Sequence, residues 1–450
     1  MYALAAISYL SPMTGFFFIA CAQFLPFPAG SPHNPAQAGV LVWLPVILLR
    51  YHRLNLSGVW RLWPVLPWLL WFMILSGEMV FSPQCDYMKA LAYSVIACQL
   101  ANEARGRFLK CLFGLCLGAI LVMTAYWASQ LGLPVEVSDW GGEREGFARL
   151  GSVRADAVMV WPALLIGISG LVGLQIALAS RRSPMPSPLW LTYGTLILLV
   201  AALPALVSTM CHGAFIGLAL TAACVVWAAR VAIKKGVYAS PRFWALIRWA
   251  LVGIGAVIIL FALDLFQIRT KMLSLGEYYS GVSSESGLAA SRTGVWHDSI
   301  HTILKYPILG IRVTGDREEI TSEYAAGGFY LSHNVFLDYA RYCGIPGMLL
   351  LAFFFFYPVI RMWQSGDVVR YIPFLLTHFA MLIFWMSLSY QFYKTFWALW
   401  MLMVLAEQSA RNSRPSWGKR RPSAQVSLSG RSIRNDRAGA EQRPSPQASF

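Results

Sequence analysis

What most constrains this chain is repetition: one stretch of about 20 apolar residues after another, separated by short polar connections. A helix of that length crosses the roughly 30 Å hydrocarbon core of a bilayer. Backbone groups inside lipid must bond one another, so repeated runs of this length mean helices rather than strands. The sequence is 57% hydrophobic and 13% charged, about half the charge of an ordinary soluble domain, and its many Trp and Tyr suit the two membrane interfaces. A soluble globular protein is thereby excluded.

The first apolar segment covers about residues 3–24. It lacks the basic start and small-residue cleavage site of a signal peptide, and further segments follow. The others centre near Val46, Leu70, Ile96, Leu121, Leu165, Leu198, Leu218, Val257, Phe354, Leu382 and Trp400. The expected fold is therefore all-α: a polytopic integral membrane helical bundle of about twelve transmembrane helices. Basic residues cluster on alternate connections: Arg50, Arg53 and Arg61; Arg105, Arg107 and Lys110; Arg181 and Arg182; Arg230, Lys234, Lys235 and Arg242; Arg361 and Arg370. The positive-inside rule places these in the cytoplasm, and twelve spans put both termini there. The opposite side receives loops over about 133–155 and a large one over about 267–332, the latter containing short helices.

The transmembrane domain is expected over residues 1–407. Residues 408–450 carry nine Lys and Arg against two acidic residues with almost no apolar pattern. That composition predicts a disordered cytoplasmic tail held near anionic lipid. No folded nucleic-acid module is visible, so the charge is read as membrane-directed and nucleic acid is not expected as a partner. The eight cysteines show no metal-ligand spacing, and no CxxC or HExxH pattern occurs. No metal or cofactor is expected. Cys21, Cys85, Cys211 and Cys343 fall near the outer face, where a disulfide is chemically possible.

The large outer loop carries the readable chemistry. Trp296, Ile300 and Leu304 recur at helical spacing, predicting an amphipathic helix that ends before Pro307. Ser332 is the expected N-cap of a second helix, on which Asn334, Asp338 and Arg341 share a face. His333 would then lie in the first turn, where the positive end of the helix dipole favours a neutral imidazole.

Four pieces stand in order here: Arg292-Thr293-Gly294-Val295-Trp296, Pro307-Ile308-Leu309-Gly310, His333-Asn334-Val335-Phe336-Leu337, and Gly344-Ile345-Pro346-Gly347. Their order and placement resemble the signature region of the O-antigen ligase/polymerase superfamily, membrane glycosyltransferases of the bacterial inner membrane that use polyprenyl-diphosphate-linked glycans. The motif resemblance covers about residues 206–351. It implies an inverting, metal-independent transfer from an undecaprenyl-diphosphate-linked glycan donor to a hydroxyl of a glycan or lipid-linked acceptor, on the periplasmic side. It implies that Arg292 holds the diphosphate and that His333 is the catalytic base, with Trp296 and Asn334 supporting. An arginine fork suits phosphate, and imidazole suits proton abstraction near neutral pH.

One departure stands out. Where the family carries Ser-Arg-Gly-Ala, this chain reads Cys211-His212-Gly213-Ala214, so His212 occupies the place of a second phosphate-binding arginine. Histidine donates a hydrogen bond without a permanent charge. Arg149 and Arg312 are the expected further diphosphate contacts, and Arg154 and Lys394 are other cations near the same face. Glu78, Asp264 and His378 are ionisable groups in or beside spans, either lining a polar cavity or packed as satisfied residues. Two other readings stay open: a twelve-helix transporter, and a non-catalytic polysaccharide-assembly protein.

Overall fold

The computed structural model describes residues 11–24, 35–52, 58–76, 86–129, 154–179, 189–208, 212–234, 241–264, 292–311, 334–365, 368–387 and 394–412, together with residues 6, 9, 269 and 332. Among these every regular element is helical. The α-helices are α1 (Pro12–Phe24), α2 (Pro35–Tyr51), α3 (Val65–Ser76), α4 (Asp86–Glu103), α5 (Phe108–Ser129), α6 (Arg154–Ala179), α7 (Leu189–Ser208), α8 (His212–Lys234), α9 (Pro241–Ala262), α10 (Arg292–Lys305), α11 (Val335–Gln364), α12 (Val368–Ser387) and α13 (Lys394–Asn412). A 3₁₀ turn, Val59–Leu62, precedes α3. Each apolar centre read from the sequence falls on a helix, and α10 is the expected additional helix between α9 and α11.

Not all of these helices meet the length and hydropathy of a free-standing span. Five do, over Phe108–Ala125, Trp161–Ala179, Gly217–Lys234, Val335–Gln364 and Val368–Met386; Pro12–Ala22, Tyr193–Leu203 and Trp244–Ala256 are apolar but shorter. The reason is visible in the others. The α3 helix has only 12 residues, α4 carries Asp86, Lys89 and Glu103, and α13 carries Lys394, Glu407 and Arg411.

The Glu407 carboxylate of α13 is tolerated inside the protein because the helix around it is enclosed. Every residue of α13 from Thr395 to Glu407 is buried, the signature of a helix enclosed on all sides. Phe396, Trp397 and Trp400 pack around Phe354 of α11, with ring centroids 6.0, 5.1 and 4.9 Å away. Trp400 also repairs α11. Pro358 has no N–H to give the Phe354 carbonyl four residues earlier, and Trp400 Nε1 donates to that carbonyl instead at 2.8 Å. In contrast, α9 presents Leu251, Val252, Ile254, Ile258 and Ile259 outward. Such a contiguous exposed apolar face suits lipid.

Small residues set the closest approaches. A Cβ on Gly114 would stand 2.2 Å from the Met13 carbonyl oxygen, and one on Gly118 would stand 2.6 Å from that of Phe17. This Gly-x-x-x-Gly spacing lets the backbones of α1 and α5 touch. At the C-terminal ends of α11 and α13, the buried carboxylate of Glu407 pairs with Arg361 at 3.9 Å and with Arg411. The 3₁₀ turn lies against the same end, where a Cβ on Gly58 would come 2.6 Å from Leu405. The cysteines at positions 21, 98, 111, 116, 224 and 343 are free thiols; Cys85 and Cys211 lie outside the described residues. So does the tail after Asn412.

Candidate functional site

The N-terminal end of α11 is built differently. After α10 the chain turns through Pro307, which ends the helix, and Tyr306 and Gly310 close the turn with a 3.1 Å backbone bond. This turn lies against a break inside α11, where Gly344 leaves helical geometry at φ 72° and ψ 175°. A break of this kind frees backbone groups that must bond elsewhere. Three of them find partners. Ile311 N–H donates to the Arg341 carbonyl at 2.9 Å, Ile345 N–H donates to the Pro307 carbonyl at 2.7 Å, and the indole of Trp71 on α3 donates to the Cys343 carbonyl at 2.8 Å. Gly310 also has positive φ, 65°. A Cβ at Gly344 would stand 2.0 Å from the Ile308 oxygen, and one at Gly310 would stand 2.5 Å from the Arg341 oxygen. The Pro-x-x-Gly and Gly-x-x-Gly motifs are thus two halves of one backbone clasp.

At the start of α11 the cap differs from the sequence expectation. Asn334 is the N-cap, extended at φ −140° and ψ 111°, with its side chain accepting from Phe336 and Leu337 N–H. Ser332 is therefore not the cap. Its hydroxyl is committed to Asn334, donating to the carbonyl at 3.0 Å and accepting from the N–H at 3.2 Å. Both residues are good capping types, and the hydroxyl's engagement with the Asn334 backbone decides between them. Position 333 consequently precedes the cap rather than sitting in the first turn, and the dipole argument for its imidazole no longer applies.

Ser332 is held at both backbone groups as well. Its N–H donates to Asp338 Oδ1 at 2.8 Å, and its carbonyl accepts from Trp296 Nε1 at 2.8 Å. Asp338 faces Arg341 at 3.8 Å, and both side chains are almost fully buried. The Arg341 guanidinium donates to the Tyr342 hydroxyl at 2.7 Å. The shared face of Asn334, Asp338 and Arg341 expected from their spacing is therefore present, and it points into the protein.

The helix expected from Trp296, Ile300 and Leu304 is α10, and it packs on α11. The packed face is another one. Ser299 and Ile303 are buried with Trp296 half-buried, whereas Ile300 is 47% and Leu304 71% exposed. Small Ser299 permits the close approach. Ile300 and Leu304, with exposed Ile308 and Leu309, leave an outward apolar strip of the kind that rests in a membrane interface.

Of the residues singled out in the sequence, Trp296 and Asn334 are thus brought together around Ser332. Arg292 opens α10 and His212 opens α8, each with its side chain outside the described residues. His333, Arg149, Arg312 and Glu78 lie outside the described residues. Arg154 opens α6 and Lys394 opens α13. Asp264 sits in the turn that ends α9, at φ 49°. His378 is buried, its ring 4.2 Å from that of Phe355 and 5.9 Å from that of Phe396. Sequence reasoning missed Trp71, which reaches Cys343 across 272 residues, and the role of Asp338 as an acceptor for Ser332. Among the described residues no group of three metal-ligating side chains is found.

A helical bundle with five helices long and apolar enough to cross a bilayer, and with outward apolar faces on others, is an integral membrane protein. Residues 196–352 match the model of the O-antigen ligase family. The match begins in α7, includes α10, and ends in α11 beyond the Gly344 break, so it contains the Pro307–Gly344 clasp and the Ser332 anchor. No curated protein matches the chain.

Proposed function

We propose that this protein is a membrane glycosyltransferase of the bacterial inner membrane. It moves a glycan from undecaprenyl diphosphate to an acceptor hydroxyl on a glycan or lipid-linked acceptor. The observation that carries the reading is the coincidence of the family match with the clasp and with the Ser332 anchor, the residue before His333, which is held by Trp296 and Asp338. The positive-inside rule reads the helix ends that carry Arg361 and Arg411 as cytoplasmic, which supports a reaction on the periplasmic side.

Arg292 holds the donor diphosphate through a planar, permanently charged fork, with His212, Arg149 and Arg312 as further contacts. His333 takes the proton of the acceptor hydroxyl as that oxygen attacks the anomeric carbon from the face opposite the diphosphate. The bond to the carrier breaks, the diphosphate leaves with the electron pair, and the anomeric configuration inverts. The leaving group is already activated, so no metal is needed.

The test is transfer of labelled glycan from a polyprenyl-diphosphate donor in membranes, with chelator present. Arg292→Ala should slow transfer roughly tenfold to a hundredfold through loss of a charge-assisted bond; Arg292→Lys should recover part of it. His333→Ala should suppress transfer while donor binding persists. Parental rates in both alanine variants would remove the glycosyltransferase reading.

A further inference from the structure

We propose that Trp296 and Asp338 are positioning residues for His333, acting through Ser332; the inference rests on the reading of His333 as the base. The residues on either side of position 333 are each held. The Ser332 carbonyl accepts from Trp296 Nε1 at 2.8 Å, and the Asn334 N–H donates to Ser332 Oγ at 3.2 Å. Asp338 then fixes Ser332 from behind through its N–H at 2.8 Å.

The buried pair makes that anchor stiff. A carboxylate as enclosed as Asp338 needs a compensating charge, and Arg341 supplies it from one turn further along α11, at 3.8 Å. Arg341 is itself fixed by its bond to the Tyr342 hydroxyl, 2.7 Å away. Trp296 adds a second property. It lies on α10, the helix that Arg292 opens. The indole bond thereby ties the position of the base to the helix that opens at the diphosphate-binding arginine. Proton transfer demands hydrogen-bond reach between base and hydroxyl, and a displacement of about 1 Å can cost a hundredfold in rate.

The experiment uses the full-length protein in membranes and measures kcat and donor KM per folded protein. Trp296→Phe keeps the ring and removes the N–H. It should lower kcat roughly tenfold to a hundredfold with donor KM unchanged. Asp338→Asn keeps an oxygen that accepts from Ser332 and should retain more activity than Asp338→Ala. In a His333→Ala background, Trp296→Phe should lower the residual rate no further, since there is no base to position. Parental kcat in Trp296→Phe while His333→Ala is inactive overturns the positioning role, as does an equal loss with and without His333. Parental transfer by His333→Ala alone overturns the base assignment instead.

Discussion

The two ends of α11 each bury a carboxylate beside arginine, and they use it in opposite ways. At the C-terminal end Glu407 lies between Arg361 and Arg411, whose side chains are 31% and 42% exposed. At the N-terminal end Asp338 faces Arg341, which is 6% exposed at its side chain, within a lattice of backbone bonds drawn from α3, α10 and the turn after α10. The first arrangement neutralises a charge and leaves its cations in contact with solvent. The second fixes a backbone, and every part of it depends on the others. A region that must hold a reacting group in place needs the second kind of construction.

The largest expected effect follows from the backbone clasp. Gly344→Ala would force positive φ on a residue with a Cβ and drive that Cβ into the Ile308 carbonyl, which has no flexible side chain to yield. The bonds from Ile345 to Pro307 and from Ile311 to Arg341 would be displaced with it. A loss of several kcal/mol is expected from strain plus unsatisfied groups, read as a collapse of folded yield. Gly255→Ala on α9 is the control. A Cβ there meets nothing within 4 Å, and alanine is the better helix former by about 1 kcal/mol. Equal yields for the two variants would show that the clasp is not a structural constraint.

Next in size is the comparison of carboxylates. Asp338→Ala strands a buried guanidinium and takes the acceptor from Ser332 N–H; breaking a buried pair costs about 3–5 kcal/mol. Glu407→Ala leaves Arg361 and Arg411, both able to hydrate where they stand. Thermal unfolding in detergent should therefore fall far more for Asp338→Ala than for Glu407→Ala. The reverse order would contradict the distinction between the two ends.

Run length and hydropathy made the bundle readable: a segment of some 20 apolar residues announces a helix wherever it packs. Run length alone does not say which helices would stand free in lipid. The presence of an apolar run does not distinguish α5, which meets lipid requirements alone, from α13, whose buried Glu407 depends on enclosure by other helices. At the site, the motif spacing located the clasp, and helical periodicity located α10 and the shared face of Asp338 and Arg341. The exchange of Ser332 for Asn334 as cap was not legible, because both side chains can cap and only the contacts of the Ser332 hydroxyl separate them. The bond from Trp71 to Cys343 was not legible either, since nothing in either segment encodes a partner 272 residues away. The outward turn of Ile300 and Leu304 was hidden for a related reason: an apolar stripe packs on protein or rests in lipid, and its spacing is the same in both cases.

The smallest expected effect tests the exposed end on its own terms. Arg411 lies one helical turn after Glu407 on α13, the favourable order for an i, i+4 pair. Its side chain is 42% exposed, so water and salt screen the attraction, and a pair of this kind contributes below about 1 kcal/mol. Removing it also leaves Glu407 with Arg361 at 3.9 Å. Arg411→Ala should therefore shift the unfolding midpoint only slightly, and by less at high salt than at low salt because the Debye length shortens. A double-mutant cycle with Arg361→Ala sharpens the point. If the two arginines substitute for one another in neutralising Glu407, losing both should cost more than the two single losses together. Strict additivity would mean that Glu407 is compensated from elsewhere, and the contrast between the two ends of α11 would then rest on the clasp alone.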